Sequence, residues 1–180
     1  MELFNDGHPR PIIAIDFDGC ITTRNVFPDI SELRPYAREV INFLYDIGVI
    51  VVLWTCRENR PHPSLNKYII PYLQRACDFL DHEGIKFHGI NSSIEFAPFE
   101  YESRKIYANM YVDDKAFGWK DTDNIMVDVL CEFLKRELNI PLSIVASVRY
   151  DIINRREVSV DEFWNRVRQH PDGKHSRILY

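Results

Sequence analysis

PIIAIDFDGCI, residues 11–21, carries two signals in one short stretch. Its first half, Pro11 to Ile15, is apolar and rich in isoleucine, which suits a strand buried on both faces of a parallel sheet. The run then breaks into Asp16, Phe17, Asp18 and Gly19. Two carboxylates one residue apart at the carboxyl end of a buried strand are costly unless a positive charge lies between them. Mg2+ would supply that charge, because it takes one or two carboxylates together with waters and phosphate oxygens. The plainer reading is a strand followed by an acidic turn, since Asp-Gly is a common turn pair.

The totals narrow the choice. A chain of 180 residues reads as one domain with a sizeable core. Its 46% hydrophobic and 27% charged residues are those of an ordinary globular protein. A net charge of −5 argues against a protein built mainly to coat nucleic acid, though not against contact with nucleic-acid ends. There is no apolar run long enough to span a bilayer, and the first residues have no apolar signal-peptide core. The expectation is therefore a cytoplasmic protein with no membrane partner. Cys20, Cys56, Cys77 and Cys131 are far apart and form no C-x-x-C pair, so each is expected to act as a small buried hydrophobe.

Beyond the opening strand the pattern alternates. Pro35 suits the first turn of a helix in which Ala37, Val40, Ile41, Leu44 and Ile47 share a face, and Gly48 is its stop. VIVVLW, residues 49–54, is a second buried strand running into Thr55, Cys56 and Arg57. Strand, helix and strand joined by short loops require a parallel sheet. A helix is predicted over residues 65–82, kinked or started by Pro71, and a short outer strand over 85–88. Residues 91–102 read as a loop and 103–109 as a short helix. Met110, Tyr111 and Val112 form a strand leading into Asp113 and Asp114, after which Asp121 or Thr122 caps a helix with Ile125, Val129, Leu130, Phe133 and Leu134 on one face. Residues 144–148 fit either a helix or a fifth strand. Ser159 and Glu162 suit a capping box for a last helix.

The fold class that follows is α/β: a Rossmann-like, doubly wound parallel sheet flanked by helices. A core over residues 1–142 carries a C-terminal extension, residues 143–180, packed against it. In such a sheet ligands bind beyond the carboxyl ends of the strands. Asp16 and Asp18, Thr55, and Asp113 with Asp114 all fall at strand ends, and Lys105 precedes Asp113. Residues distant in sequence would thus meet in one cleft. A hydroxyl, an ammonium and several carboxylates are the groups that phosphoryl transfer needs.

With DFDGC at residues 16–20, VVLWT ending at Thr55, Lys105 and YVDD ending at Asp114, the chain resembles the haloacid dehalogenase-like superfamily of phosphatases. All four pieces occur in that superfamily's order, framing a core from about Ile12 to Leu138. The resemblance implies that Asp16 is the nucleophile of an aspartyl-phosphate intermediate. It makes Asp18 the general acid and then base, and a metal ligand through its backbone carbonyl. Thr55 would hydrogen-bond the phosphoryl group, and Lys105 would offset its charge. Asp16, Asp113 and Asp114 would hold Mg2+, Asp114 directly or through water. Cys20 stands where relatives often have Thr or Val. Lys115 is a rival to Lys105, read as facing solvent or substrate.

Neither the stretch after Gly19 nor that between Thr55 and Lys105 has room for a cap domain. The resemblance then implies an open site of the capless type, acting on a small-molecule or exposed macromolecular phosphate, nucleic-acid ends included. Otherwise a second copy of the chain or the tail closes it. Arg57 reads as a grip on a second substrate phosphate or as a surface ion pair. Asn91 reads as facing the cleft or as capping a turn. Trp119 is expected to anchor a packed loop. The rival class is a phosphoacceptor or phosphate-binding regulatory module without turnover. Receiver domains use similar groups, but with the phosphorylated Asp on a middle strand and Lys last.

Overall fold

The computed structural model describes residues 7, 9–92 and 106–177, with only the backbone of 65–67. Four strands form a parallel sheet: β1 (Ile12–Asp16), β2 (Ile50–Trp54), β5 (Gly89–Ile90) and β6 (Met110–Val112). Their order across the sheet is β5-β2-β1-β6, so the chain winds outward from β1 through β2 to β5 and then returns to the other side of β1. This is the strand order of the first half of a Rossmann-like sheet, and its switch point lies at β1. Helices α1 (Ala37–Asp46), α2 (Tyr72–His82), α3 (Ile125–Arg136), α4 (Leu142–Ile153) and α5 (Val160–Gln169) flank it.

Burial explains the isoleucine-rich strands. Ile13, Ile15, Val51 and Leu53 pack into the main core with α1, α3, α4 and α5, while Ile12, Ile50 and Val52 pack on the opposite face against Ile106 and Ala108. Both faces of β1 are thus dry, as its unbroken apolar run requires. The C-terminal helices share the same core: Val145, Val148 and Ile152 of α4 and Phe163 and Val167 of α5 are all buried in it. Phe163 meets Phe43 of α1 edge to face at 5.2 Å. Ser159 caps α5 by accepting the Glu162 N–H, one half of the expected capping box, while the Glu162 carboxylate pairs with Arg166.

Of the two readings open for residues 144–148 the helix holds, within α4. Several other expectations need correction. The helix predicted from residue 65 is instead a strand, β4 (Leu65–Pro71), paired antiparallel with β3 (Asn59–His62), and α2 starts only at Tyr72. Pro71 is the cause: the residue before a proline is pushed out of the helical region, so Ile69 and Ile70 cannot belong to the α2 turn. The outer strand is Gly89–Ile90, displaced from 85–88: the Ile85 N–H still closes on the Leu80 carbonyl at the end of α2 (2.9 Å), and the ladder begins only at His88, whose backbone N–H donates to the Val51 carbonyl at 2.8 Å while its Nδ1 accepts the Val51 N–H at 3.1 Å. Residues 106–109 run irregularly into β6, and the rest of the helix expected over 103–109 lies outside the described residues. Neither Asp121 nor Thr122 caps α3; Asn124 precedes it without a side-chain cap, and Asp121 pairs with the buried Arg34 at 2.6 Å. Of the four cysteines expected to be buried only Cys20 is; Cys77 and Cys131 are half-buried and Cys56 is exposed. Among the described residues, no helix is long and apolar enough to cross a membrane.

Candidate functional site

The site is built where β1 ends between β2 and β6. Asp16 pairs in register with Trp54, and Ile15 with Val112, so Thr55 and Asp113 emerge beside the DFDG turn. A cleft of about 280 Å³ opens there, lined by Asp16, Asp18, Asn25, Trp54, Thr55, Cys56, Asp113, Asp114 and Lys115. The turn is shaped by its own residues. Asp16 accepts the Phe17 N–H at 2.8 Å, Gly19 takes the left-handed φ of +85°, and the Thr22 N–H closes on the Phe17 carbonyl at 3.0 Å. Gly19 is needed twice over, since a Cβ there would lie 2.5 Å from Asp114 Oδ2.

Arg34 holds the turn from behind. It is 4% exposed and donates to the carbonyls of Cys20 (2.8 Å), Gly19 (2.8 Å) and Thr23 (3.1 Å). Its charge is met by Asp121 and by the Trp119 ring at 5.8 Å, which makes Trp119 the loop anchor expected of it. Nothing in the residue pattern flags Arg34, because its partners are backbone carbonyls distant in sequence.

Asp16, Asp113 and Asp114 each bring a carboxylate oxygen within 4.8 Å of the other two. All three are half-buried, so water screens them poorly. Burial first, then the charges of Asp113, Asp18 and Asp114, push the Asp16 carboxyl up to about 7 against the hydrogen bond from Phe17. The same burial and the nearby carboxylates push the Cys20 thiol up, so that residue is an inert core group. The donor set fits a small, hard divalent cation, which would remove the repulsion the three acids impose on one another.

Asp18 differs sharply. It accepts from Arg57 Nη2 at 2.6 Å and from Arg57 Nε at 2.7 Å, a two-pronged pair with the guanidinium 1% exposed. Arg57 also donates to the carbonyls of Pro28 (3.2 Å) and Asp29 (2.5 Å), with the rings of Phe17 and Phe27 5.1 and 5.3 Å from its charge. Arg57 is therefore neither a surface ion pair nor placed to grip a second phosphate; four of its five guanidinium N–H groups bond Asp18, Pro28 and Asp29 behind the cleft.

Thr55 is 7% exposed and faces the cleft, with its Oγ1 accepting the Arg57 N–H at 3.2 Å. Asn91, at a left-handed φ of 50°, gives its amide to Thr55: Oδ1 accepts the Thr55 N–H at 2.7 Å and Nδ2 donates to the Thr55 carbonyl at 2.8 Å. Asn91 thereby positions Thr55 and does not itself line the cleft. Lys115 lines the cleft and bonds Asp114 through Nζ, a contact that raises its ammonium above the usual lysine range. Its backbone N–H donates to Asp113 at 2.8 Å. Lys105 lies outside the described residues. Asn25, Trp54 and Cys56 line the cleft without having been singled out. The run VVLWTC did point at that strand end, since whatever follows a buried parallel strand faces the ligand side.

No protein-family model matches the chain, and no curated protein matches it. Among solved structures it is similar to a conserved protein from Bacteroides thetaiotaomicron, at 26% identity and a TM-score of 0.54, over 68% of this chain and 91% of that one.

Proposed function

We propose that the protein is a Mg2+-dependent phosphohydrolase of the haloacid dehalogenase-like kind, working through an aspartyl-phosphate. The observation that carries the reading is the meeting of Asp16, Asp113 and Asp114 within 4.8 Å, in a cleft shared with Asp18, Thr55 and Lys115. Asp16, Asp113 and Asp114 would hold the ion, with the Asp18 carbonyl. When bound, Mg2+ offsets the three carboxylates and withdraws charge from the phosphoryl oxygens.

The chain's own groups do the rest. An Asp16 carboxylate oxygen attacks phosphorus, and the bond to the leaving oxygen breaks with its electron pair. Thr55 Oγ donates to a phosphoryl oxygen, in a position fixed by Asn91. A lysine compensates the remaining negative charge: Lys115 stands at the cleft, and Lys105 is the candidate the spacing indicates. Water then attacks the phospho-Asp16, giving up its proton to Asp18, and phosphate leaves. The substrate is a phosphate ester or anhydride presented by a small molecule or an exposed macromolecular end. The proposed setting is the cytosol, where the exposed Cys56 at the cleft would stay reduced.

Phosphate release from p-nitrophenyl phosphate tests this. Turnover is expected with Mg2+, and its loss is expected in EDTA and in Asp16→Asn. Activity that survives both, or a stable phospho-Asp16 with no release, overturns the reading; the second outcome would mark a regulatory phosphoacceptor.

A further inference from the structure

Arg34 bonds both loops that frame the acid cluster, yet no acid of the cluster itself. We infer that Arg34 is a positioning residue which, through Asp121, clamps the loop following Asp113 and Asp114 onto the DFDG turn, so that the three acids select a small divalent cation over a large one. This rests on the reading above that Asp16, Asp113 and Asp114 hold a cation.

The clamp has two jaws. On the β1 side, Nε donates to the Cys20 carbonyl at 2.8 Å, and Nη2 to those of Gly19 and Thr23 at 2.8 and 3.1 Å. On the β6 side, Nη1 donates to Asp121 Oδ1 at 2.6 Å, with the Trp119 ring 5.8 Å from the charge. The Arg34 side chain is 4% exposed, so water competes little for these bonds. A guanidinium is planar and its donors form a rigid fork, so the two jaws do not shift independently.

Each jaw reaches the acids by a short path. Gly19 lies against Asp114, since a Cβ there would be 2.5 Å from Oδ2. From Asp113 the loop folds in two successive turns, Ala116 N–H to the Asp113 carbonyl at 3.0 Å and Trp119 N–H to the Ala116 carbonyl at 3.1 Å. The Lys115 N–H also holds the Asp113 carboxylate at 2.8 Å. A shift of residues 119–121 is therefore passed to Asp113 and Asp114, while Asp16 stays fixed by its strand and by the Phe17 N–H.

That stiffness bears on ion choice. Mg2+ demands near-octahedral oxygens at about 2.0–2.1 Å, whereas Ca2+ takes irregular sets at about 2.3–2.6 Å. A clamped frame penalises the larger ion, and a loosened one does not. Asp121 acting only as a nearby negative charge would behave otherwise. Its removal would then weaken both ions alike, and Asn would serve no better than Ala.

The test follows the thermal midpoint of the full chain against MgCl2 and against CaCl2, because an ion held only by the folded state raises it by an amount set by its affinity. Wild type is expected to bind Mg2+ at least as tightly as Ca2+. Asp121 is 66% exposed, so its replacement should leave the fold intact. Asp121→Ala is expected to weaken Mg2+ by about tenfold, the low end for loss of an outer partner, and Ca2+ by no more than about twofold. Asp121→Asn keeps an oxygen for Nη1 and should stay within about twofold of wild type for both ions. Arg34→Lys keeps the charge but loses the fork, and should shift the ion ratio as Asp121→Ala does. If that variant does not fold, the two Asp121 variants decide. Equal losses for the two ions, an Asn variant as poor as the Ala one, or a wild type that prefers Ca2+ overturns the inference, while Asp16-dependent phosphate release with Mg2+ keeps the parent reading. A wild-type midpoint that responds to neither ion overturns both.

Discussion

Asp16 and Asp18 are two residues apart on one strand end, yet they live in opposite electrostatic surroundings. Asp16 stands with Asp113 and Asp114, three carboxylates within 4.8 Å, and its own carboxyl is driven up to about 7. Asp18 has a buried guanidinium to itself. The turn accounts for the split: β1 ends at Asp16, and over Phe17–Ile21 the chain leaves the strand, so the rule that would put positions i and i+2 on one face no longer holds. One side of the turn is therefore crowded with like charge, which a proton on Asp16, the Lys115 ammonium at Asp114 or an added cation relieves. The other side is complete within the protein. In the proposed reading, the acids that would hold the metal and a carboxylate already paired within the protein share one turn.

The completed side should be the more fragile to mutation. Arg57→Ala leaves Asp18 without its counter-charge and strips donors from the Pro28 and Asp29 carbonyls, at a cost of about 3–5 kcal/mol. Urea unfolding measures it. Replacing both partners, with Asp18→Asn and Arg57→Met, should recover much of the loss, because a buried pair is worth less than its breaking costs. A single-variant loss below about 1 kcal/mol would mean that the pair is no more than a surface contact.

Gly19→Ala attacks the wall between the two sides. A left-handed alanine costs about 1–2 kcal/mol in backbone strain, and its Cβ meets Asp114 Oδ2 at 2.5 Å. Thermal unfolding in EDTA should show that loss, and a Mg2+ titration should show weaker binding because Asp114 is displaced. Full Mg2+ affinity in the variant would remove Asp114 from the metal site. The crowded side should respond in the reverse sense to Asp113→Asn. Removing one like charge is expected to raise Tm in EDTA by about 2–4 °C, or about 1 kcal/mol for a chain of this size. Saturating Mg2+ should stabilise wild type more than the variant, since only the ligated folded state gains from the ion. The order of the two Tm values should then invert between EDTA and Mg2+. A variant that is less stable in both conditions would mean that the acids are not in conflict.

How far these two environments were legible in advance depended on the range of the interaction. Ile12 to Ile15 announced a strand dry on both sides, and carboxylates at successive strand ends announced a cleft, because both signals are local and periodic. Arg57 carried no such signal. Its partners Asp18, Pro28 and Asp29 are set by how the turn after β1 folds over the end of β2, which no spacing along the chain encodes. Asn91 and His88 were obscure for a related reason. Each adds side-chain bonds at one end of a two-residue strand, beside its own backbone bond to β2, and no periodic pattern marks a strand so short. The β3–β4 hairpin was lost because Ile69 and Ile70 also fit the face of the helix that Pro71 forbids them to join.

The smallest effect lies at the amino end of the same sheet and isolates the cleft from general acid sensitivity. His88 accepts the Val51 N–H on Nδ1 at 3.1 Å and stacks on Tyr45 with ring centroids 4.1 Å apart. Burial, and then the charge of Arg10, hold its imidazolium below the ordinary 6.5. A histidine whose folded value is depressed contributes stability that is complete above the unfolded value. That stability is lost as pH falls through the depressed folded value, because the unfolded chain takes up the proton first. Lowering pH from 7 toward 5 should therefore cost wild type a fraction of about 1 kcal/mol more than His88→Asn, whose side chain can still accept but does not titrate. Chemical denaturation across that range measures the difference, and repeating it with Mg2+ locates it. A difference that persists unchanged with the ion present belongs to β5 and His88. One that vanishes would trace the acid sensitivity to the three carboxylates, and would mean that the two ends of the sheet are coupled more tightly than their separate hydrogen bonds suggest.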